Sequence, residues 1–244
     1  MLAIKTEKLT KKFAGRTVVD SVDLSVEKGE LFSLLGVNGA GKTTTIRMLC
    51  GLSRPNSGEA WLLNKSISKE PEKVKETINV SPQETAIAPN LSVRENLELI
   101  AGIYGSSKKA AGEKAGKMIE EFKLEKIEKQ KAKTLSGGWQ RRLSIAMALI
   151  SEPQILFLDE PTLGLDVIAR RELWKVIESL KGKITVILTT HYMEEAEALS
   201  DRVAIMAEGK LKAIGTVKEL KNMSNTSNFE DTFIKIATEA KEEK

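Results

Sequence analysis

A glycine-rich stretch at residues 36–44, Gly-Val-Asn-Gly-Ala-Gly-Lys-Thr-Thr, carries the residue types that hold phosphate. Two glycines separated by four residues and followed by Lys-Thr fit the phosphate-loop pattern. Glycines let several backbone N–H groups point at one phosphate, and a following helix adds partial positive charge. Lys42 would add a formal charge, and the Thr43 hydroxyl a ligand for Mg²⁺. The alternative is a glycine turn that happens to precede a lysine. We predict a nucleotide site at Gly36, Asn38, Gly39, Ala40, Gly41, Lys42, Thr43 and Thr44.

An acidic pair ends a second apolar segment. Residues 154–158 read as a strand, and Asp159 and Glu160 follow it directly. Phosphoryl transfer to water needs a metal ion and a positioned water molecule. We predict that Asp159 binds Mg²⁺ through its water shell and that Glu160 polarises the attacking water. A surface turn with two acids is the alternative.

Two further polar side chains follow strand ends. His191, the only histidine, follows the apolar run 184–190, where it could donate a hydrogen bond to the γ-phosphate. Gln83 follows Ser81-Pro82, and its amide could reach the metal or the water. The alternatives are a structural histidine and an ordinary Pro-Gln turn.

A second anion cradle lies at Ser136, Gly137 and Gly138, at the start of the helix predicted over residues 139–150. Backbone N–H groups and a hydroxyl at a helix start suit an anion, although a flexible glycine turn is the alternative. Two cradles in one chain suggest that two chains share each nucleotide.

The elements that must position these groups follow from hydrophobic periodicity. Apolar strands at residues 31–35, 78–83, 154–158, 184–190 and 202–206 alternate with helices, which predicts a mostly parallel sheet covered on both faces. Such sheets bind ligands at the carboxyl ends of their strands, where the loop, the acidic pair and His191 all fall. The fold class is therefore α/β.

Regions outside this core have their own patterns. Alternation at residues 2–10 and 17–26, with a turn between them, predicts N-terminal antiparallel strands. Residues 91–133 are helical in character and begin with a capping box of Ser92 and Glu95. They read as a helical insertion. A polar break at 222–228 and a final helix over 229–239 complete the chain.

Composition narrows the function classes. Net charge is +4, there is one cysteine, and no run approaches the roughly 20 apolar residues of a membrane helix. The N-terminus alternates and is charged, unlike a signal peptide. These features predict a cytosolic protein unless a partner holds it at a membrane. Residues 108–133 mix nine lysines with five glutamates, which is typical of a solvated helical face rather than a nucleic-acid patch.

Taken together, the motifs resemble the ATP-binding subunit of ABC transporters over nearly the whole chain. The phosphate loop, Leu135–Gly138, Leu158–Pro161, Gly164–Asp166 and His191 occur in that family's order and spacing. The resemblance implies that Phe13 stacks on adenine, that Gln83 senses the membrane partner and that Asp166 crosses a dimer interface. It also implies that Ser136–Gly138 contact the γ-phosphate held by the opposite subunit. Trp139 departs from the family, which most often has Gln there.

The resemblance further implies an ABC ATPase fold with a RecA-like P-loop core. Its ATPase domain would cover residues 1–222, with core and β subdomain at 1–84 and 152–222, a helical subdomain at 85–151 and a C-terminal helical tail at 223–244. The implied cofactors are ATP and Mg²⁺, and the implied partners are a second copy on ATP binding and a membrane permease, with no nucleic acid. The protein would then be peripheral on the inner face of the cell membrane. Residues 190–197 and 229–233 look closest to ABC-2 exporters. A soluble ABC-type ATPase acting on ribosomes or DNA is the alternative.

Overall fold

The computed structural model describes residues 1–238 and contains two sheets and nine α-helices within that range. The strands are β1 (Leu2–Phe13), β2 (Arg16–Val22), β3 (Ser25–Glu27), β4 (Leu31–Leu35), β5 (Ser57–Leu62), β6 (Lys65–Ser66), β7 (Ile78–Ser81), β8 (Ile155–Asp159), β9 (Thr185–Thr190), β10 (Arg202–Ala207) and β11 (Lys210–Gly215). The helices are α1 (Lys42–Leu49), α2 (Pro71–Lys75), α3 (Val93–Ile103), α4 (Lys108–Glu121), α5 (Gly137–Leu149), α6 (Val167–Glu178), α7 (Met193–Leu199), α8 (Val217–Ser224) and α9 (Phe229–Thr238).

The larger sheet has the order β11-β10-β4-β9-β8-β7 and is parallel except for β11, which runs antiparallel to β10. Every residue of β4, β8 and β9 is buried, which is expected for strands covered on both faces. The predicted mostly parallel sheet is confirmed. In this order β9 lies between the strand that enters the phosphate loop and the strand that ends in the acidic pair.

The smaller sheet is antiparallel, with the order β2-β1-β5-β6 and β3 paired to β1. The predicted turn over residues 11–16 is wrong in extent, because β1 continues to Phe13 and only Ala14 and Gly15 form the turn. The single strand predicted over 17–26 is also wrong. It is interrupted at Asp23-Leu24, where the Thr6 hydroxyl donates to the Val22 carbonyl and accepts from the Leu24 N–H.

The helical insertion consists of α3, α4, two 3₁₀ turns (Glu125–Ile127 and Ala132–Thr134) and α5. Its predicted capping box is confirmed: Glu95 N–H donates to Ser92 Oγ at 3.2 Å, and Ser92 N–H donates to Glu95 Oε2 at 2.7 Å. Apolar residues of the insertion and of β8 and β9 form one buried cluster. The insertion is therefore packed onto one face of the larger sheet.

The C-terminal region differs from the sequence prediction. A helix, α8, occupies residues 217–224, so residues 222–224 of the predicted polar break are helical and the proposed boundary at 222/223 falls inside it. Thr216 and Glu219 form its capping box, and Leu220 packs with Phe229 and Phe233 of α9 against the larger sheet. The helix predicted over 229–239 is present as Phe229–Thr238, and Glu239 lies outside the described residues. Within residues 1–238, no helix is long and apolar enough to cross a membrane.

Candidate functional site

The phosphate loop joins β4 to α1, and its glycines are required by close backbone contacts. A Cβ at position 36 would lie 2.5 Å from the Met206 carbonyl oxygen, and one at position 41 would lie 2.8 Å from the Val18 carbonyl oxygen. Gly41 also has φ of 102°, a conformation that residues with side chains rarely adopt. Only glycine therefore fits at these two positions. The N–H groups of Gly36 and Ala40 donate to the carbonyl oxygens of Thr190 and Val37, whereas those of the first turn of α1 are available to an anion, as at any helix N-terminus.

Lys42 begins α1 and is almost completely buried. Its Nζ donates to the carbonyl oxygens of Gly36 at 2.7 Å and Val37 at 3.2 Å, and lies 3.4 Å from Glu160 Oε1. Burial lowers the pKa of Lys42 below its ordinary value of 10.5, while the charge of Glu160 opposes this shift. The ammonium is thus held at the loop, where a phosphate would meet it.

Asp159 ends β8 and lies beside the first turn of α1. Its Oδ1 accepts hydrogen bonds from Thr43 Oγ1 at 3.1 Å and Thr189 Oγ1 at 2.5 Å. Asp159 and Thr189 are paired neighbours of adjacent parallel strands, which explains their contact. The predicted metal ligands Thr43 and Asp159 are therefore adjacent, and Thr189 orients the carboxylate.

Glu160 follows with φ of 46°, a left-handed conformation that is uncommon in residues other than glycine. Its N–H is held at Thr189, 3.1 Å from the carbonyl oxygen and 3.0 Å from Oγ1. Its carboxylate is buried, with Oε2 lying 3.2 Å from His191 Nδ1. That approach lacks hydrogen-bond geometry, and among the described residues Nδ1 has no hydrogen-bond partner. Strained backbone of this kind is concentrated at functional sites.

These groups surround one cleft of about 370 Å³ above the carboxyl ends of the strands. It brings together most of the predicted residues, with Gln83 at its rim. Its lining consists of Val18, Asn38, Gly39, Ala40, Gly41, Lys42, Thr43, Thr44, Gln83, Glu160, Leu163 and His191. Sequence reasoning missed Val18 and Leu163, which carry no chemical group that a motif search would select.

Seven predicted site residues do not line this cleft: Gly36 and Asp159 are buried beside it, and the other five lie elsewhere. Phe13 lies at the β1–β2 turn, where half of its surface is exposed and Lys11 Nζ lies 5.0 Å from its ring centroid. Ser136 and Gly137 are exposed at the start of α5, Gly138 is half-buried there, and the Ser136 side chain makes no capping hydrogen bond. Asp166 caps α6, because its Oδ1 accepts from the N–H groups of Ile168 and Ala169 at 2.9 Å.

Arg141 was also missed. It lies on α5 with 4% of its surface exposed, and its guanidinium donates to backbone carbonyls of the segment that carries the acidic pair. An arginine that begins a run of nine buried helical residues, 141–149, was the signal in the sequence, because a buried guanidinium must find partners.

A phosphate loop, an acidic pair on a strand separated from it by one strand, and a helical insertion packed on the sheet define a P-loop nucleoside triphosphatase fold of the ABC type. The chain belongs to the ABC transporter ATP-binding family: the family described as "ABC transporter" matches residues 19–163, more than half of the chain.

Similar proteins agree. The daunorubicin/doxorubicin resistance ATP-binding protein DrrA of Streptomyces peucetius is 41% identical over 221 residues, covering 90% of this chain and 67% of the relative. The linearmycin resistance ATP-binding protein LnrL of Bacillus subtilis is 40% identical over 218 residues, covering 89% and 70%. The probable multidrug ABC transporter ATP-binding protein YbhF of Escherichia coli is 42% identical over 222 residues, covering 91% of this chain and only 38% of YbhF.

Among solved structures, the ATP-binding subunit of an ABC transporter superimposes with a TM-score of 0.84 at 27% identity, covering 96% of this chain and 99% of the other. The protein cbiO1 of Clostridium perfringens, part of the ABC transporter complex cbiONQ, gives the same TM-score and identity and covers 91% of each chain. The predicted ABC ATPase fold is confirmed.

Proposed function

We propose that this chain hydrolyses ATP to ADP and phosphate, and that two copies enclose two ATP molecules to drive a separate membrane permease. The placement of the Glu160 carboxylate carries this proposal. It lies at the mouth of the phosphate loop, 3.4 Å from Lys42 Nζ and 3.2 Å from His191 Nδ1, on a backbone held in an uncommon conformation. A base beside a phosphate site is what water attack on a γ-phosphate requires.

Each residue then has a defined task. Loop N–H groups and Lys42 hold the phosphates, Glu160 orients the attacking water, His191 donates a hydrogen bond to the γ-phosphate, and Gln83 contacts the metal or the water. The Thr43 hydroxyl and the Asp159 carboxylate, 3.1 Å apart, suit Mg²⁺, which prefers few carboxylates and takes its other ligands from phosphates and water. When bound, the ion would supply positive charge that offsets the negative charge of the phosphates.

The cleft is half of a site, which favours a dimer. Ser136–Gly138 lie at the N-terminus of α5, outside the chain's own cleft, and the Ser136 hydroxyl makes no capping hydrogen bond. We assign their N–H groups and this hydroxyl to the γ-phosphate held by a second copy. Four apolar residues are exposed on the loop and near the start of α6: Val37, Leu163, Val167 and Ile168. A contiguous interface would cover them, with Asp166 at its centre and Phe13 against the adenine.

A separate groove of about 210 Å³ suits the permease. It lies between β7, the segment after it, α3 and α5, and it is bordered by the exposed side chains of Ile103 and Tyr104. Pro82, one residue before Gln83, lines it, so a partner seated there would contact the segment that reaches the nucleotide. We therefore place the chain at the inner face of a membrane through this partner. The drug-resistance names of DrrA and LnrL favour export, and the name of YbhF, a probable multidrug ABC transporter protein, favours a transporter over a ribosome- or DNA-acting ATPase. The likeness of residues 190–197 and 229–233 adds an ABC-2 permease to this proposal.

The test is Glu160→Gln, which keeps the shape of the side chain and removes its basicity. We expect ATP binding to persist, turnover to be lost, and an ATP-bound dimer to accumulate in sedimentation. Glu172→Gln, at an exposed acid of α6, is the matched control and should retain turnover. Undiminished hydrolysis by the Glu160 variant would remove Glu160 from the role of base.

A further inference from the structure

Arg141 makes a set of contacts that the proposed roles leave unexplained. It lies on α5, five residues after Ser136, and its side chain points into the protein rather than toward a nucleotide. Its Nε donates to the Pro161 carbonyl oxygen at 2.7 Å. Its Nη2 donates to the carbonyl oxygens of Asp159 at 2.9 Å and Glu160 at 2.7 Å.

The remaining arm of the guanidinium reaches a different part of the chain. Nη1 donates to the carbonyl oxygen of Pro82, the residue before Gln83. One turn further along α5, Ser144 Oγ lies 3.0 Å from Ser81 Oγ, which adds a second tie to the end of β7. One side chain thus connects the helix of the exposed cradle, the acidic pair and the segment of Gln83.

All of these acceptors are backbone carbonyls. Within residues 1–238 no carboxylate lies within ion-pair distance of Arg141, in contrast to Arg142, which pairs with Glu172 at 3.0 Å. Burial lowers the pKa of Arg141 to about 10, so the side chain stays cationic at neutral pH. Four carbonyl groups from two segments match the planar fork of a guanidinium, and a lysine ammonium cannot reproduce that geometry.

We infer that Arg141 is a positioning residue for ATP hydrolysis: it fixes the backbone of Glu160 relative to Gln83 and to the cradle Ser136–Gly138. This inference rests on the proposed roles of Glu160 and Gln83. Because the left-handed backbone of Glu160 is held from one side by Thr189 and from the other by Arg141, losing either support lets the carboxylate move. In the proposed dimer, Glu160 belongs to one ATP site and Ser136–Gly138 to the other. Arg141 would make these two parts of the chain move together.

Arg141→Ala tests this in the full chain by steady-state ATPase kinetics. We expect kcat to fall about 10- to 100-fold with KM for ATP within about threefold, because a displacement near 1 Å at a catalytic group costs that much. Arg142→Gln is the control: it removes a neighbouring, almost equally buried arginine from α5 but leaves the acidic-pair contacts intact, so kcat should stay within about threefold.

Chemical rescue of the Arg141→Ala variant by free guanidinium distinguishes a positioning role from a general loss of structure. Millimolar guanidinium, at a concentration that leaves Tm unchanged, should restore part of kcat in Arg141→Ala and have no effect on wild type or Arg142→Gln. Arg141→Lys decides the matter if the alanine variant does not fold: it should fold with Tm near wild type and still lose about tenfold in kcat.

Two outcomes overturn the inference. One is wild-type kcat in Arg141→Lys or Arg141→Ala. The other is a loss of kcat in Arg141→Ala that guanidinium does not restore while Arg142→Gln loses as much. The Glu160→Gln variant keeps the proposals distinct: if it is inactive and the Arg141 variants are fully active, only the role of Arg141 fails.

Discussion

The Nζ atom of Lys42 lies 3.4 Å from Oε1 of Glu160, with 4% and 8% of the two side chains exposed. The charge that should meet the phosphates and the base that should activate water therefore form an ion pair in this structure. A buried ion pair is costly to break from one side, because the remaining charge loses its partner.

Lys42→Ala should consequently have two separable effects. We expect ATP affinity to fall about 10- to 100-fold, since a hydrogen-bonded charge contributes roughly 1.5–3 kcal/mol and 1.4 kcal/mol is tenfold. We also expect a lower free energy of unfolding, because Glu160 is left buried and unpaired. Fluorescent-nucleotide titration and denaturant unfolding measure the two.

The double variant Lys42→Ala/Glu160→Gln separates these effects. It should recover part of the lost stability and none of the lost affinity, whereas Lys28→Ala, in the exposed turn before β4, should change neither. Strictly additive losses of stability in the double variant would show that the ion pair is energetically irrelevant.

Two glycines of the phosphate loop allow the cost of backbone strain to be separated from the cost of a steric clash. Gly39 and Gly41 have φ of 82° and 102°, but a Cβ at position 39 meets nothing within 4 Å, while one at 41 meets the Val18 carbonyl oxygen. Gly39→Ala should therefore cost only about 1–2 kcal/mol of conformational strain. Gly41→Ala should cost about 1–3 kcal/mol more through the backbone contact, and should also impair nucleotide binding. Equal losses in chemical denaturation would contradict this geometry.

Glu195 gives a pH dependence with a defined sign. The residue is fully buried on α7, accepts from Trp174 Nε1 at 3.0 Å, and has an Oε2 without a hydrogen-bond partner among the described residues. Burial raises its pKa in the folded state above the ordinary value of 4.5. The folded protein then holds more protons than the unfolded chain between these two pKa values, so stability falls as pH rises through that window.

Glu195→Gln removes this titration and can keep the bond from Trp174. The stability difference between variant and wild type should be small near pH 4.5 and grow in favour of the variant by about 1.4 kcal/mol per pH unit across the window. Denaturant unfolding at a series of pH values measures it. A difference that stays constant or shrinks with rising pH would show that Glu195 is stabilised as a carboxylate.

The features that could be predicted from the sequence are those that depend on residues close together in the chain. Strand periodicity gave the parallel sheet, and the spacing of Ser92 and Glu95 gave a capping box with both hydrogen bonds present. The phosphate loop, Glu160, Gln83 and His191 line one cleft because each follows a strand of the same sheet at its carboxyl end.

The features that were missed depend on distant contacts. Helix α8 is mostly polar, and Leu220 is buried in a cluster with residues of α7, α9 and the larger sheet. Thr189 reaches Asp159 because β9 lies beside β8, and Arg141 bonds to carbonyls 18 to 59 residues away. Every residue has a backbone carbonyl oxygen, so the sequence does not indicate which residues accept such hydrogen bonds.

The most direct test of the composite site is cross-linking between the loop of one copy and the cradle of another. Asn38→Cys and Ser136→Cys, both at exposed positions, are made in separate Glu160→Gln chains, and the buried Cys50 stays unreactive. With a short bis-maleimide, the mixture should give a cross-linked pair when ATP is present, and little without ATP or from either protein alone. A mixture that stays uncross-linked with ATP, or cross-links equally without it, would contradict a site shared between two copies.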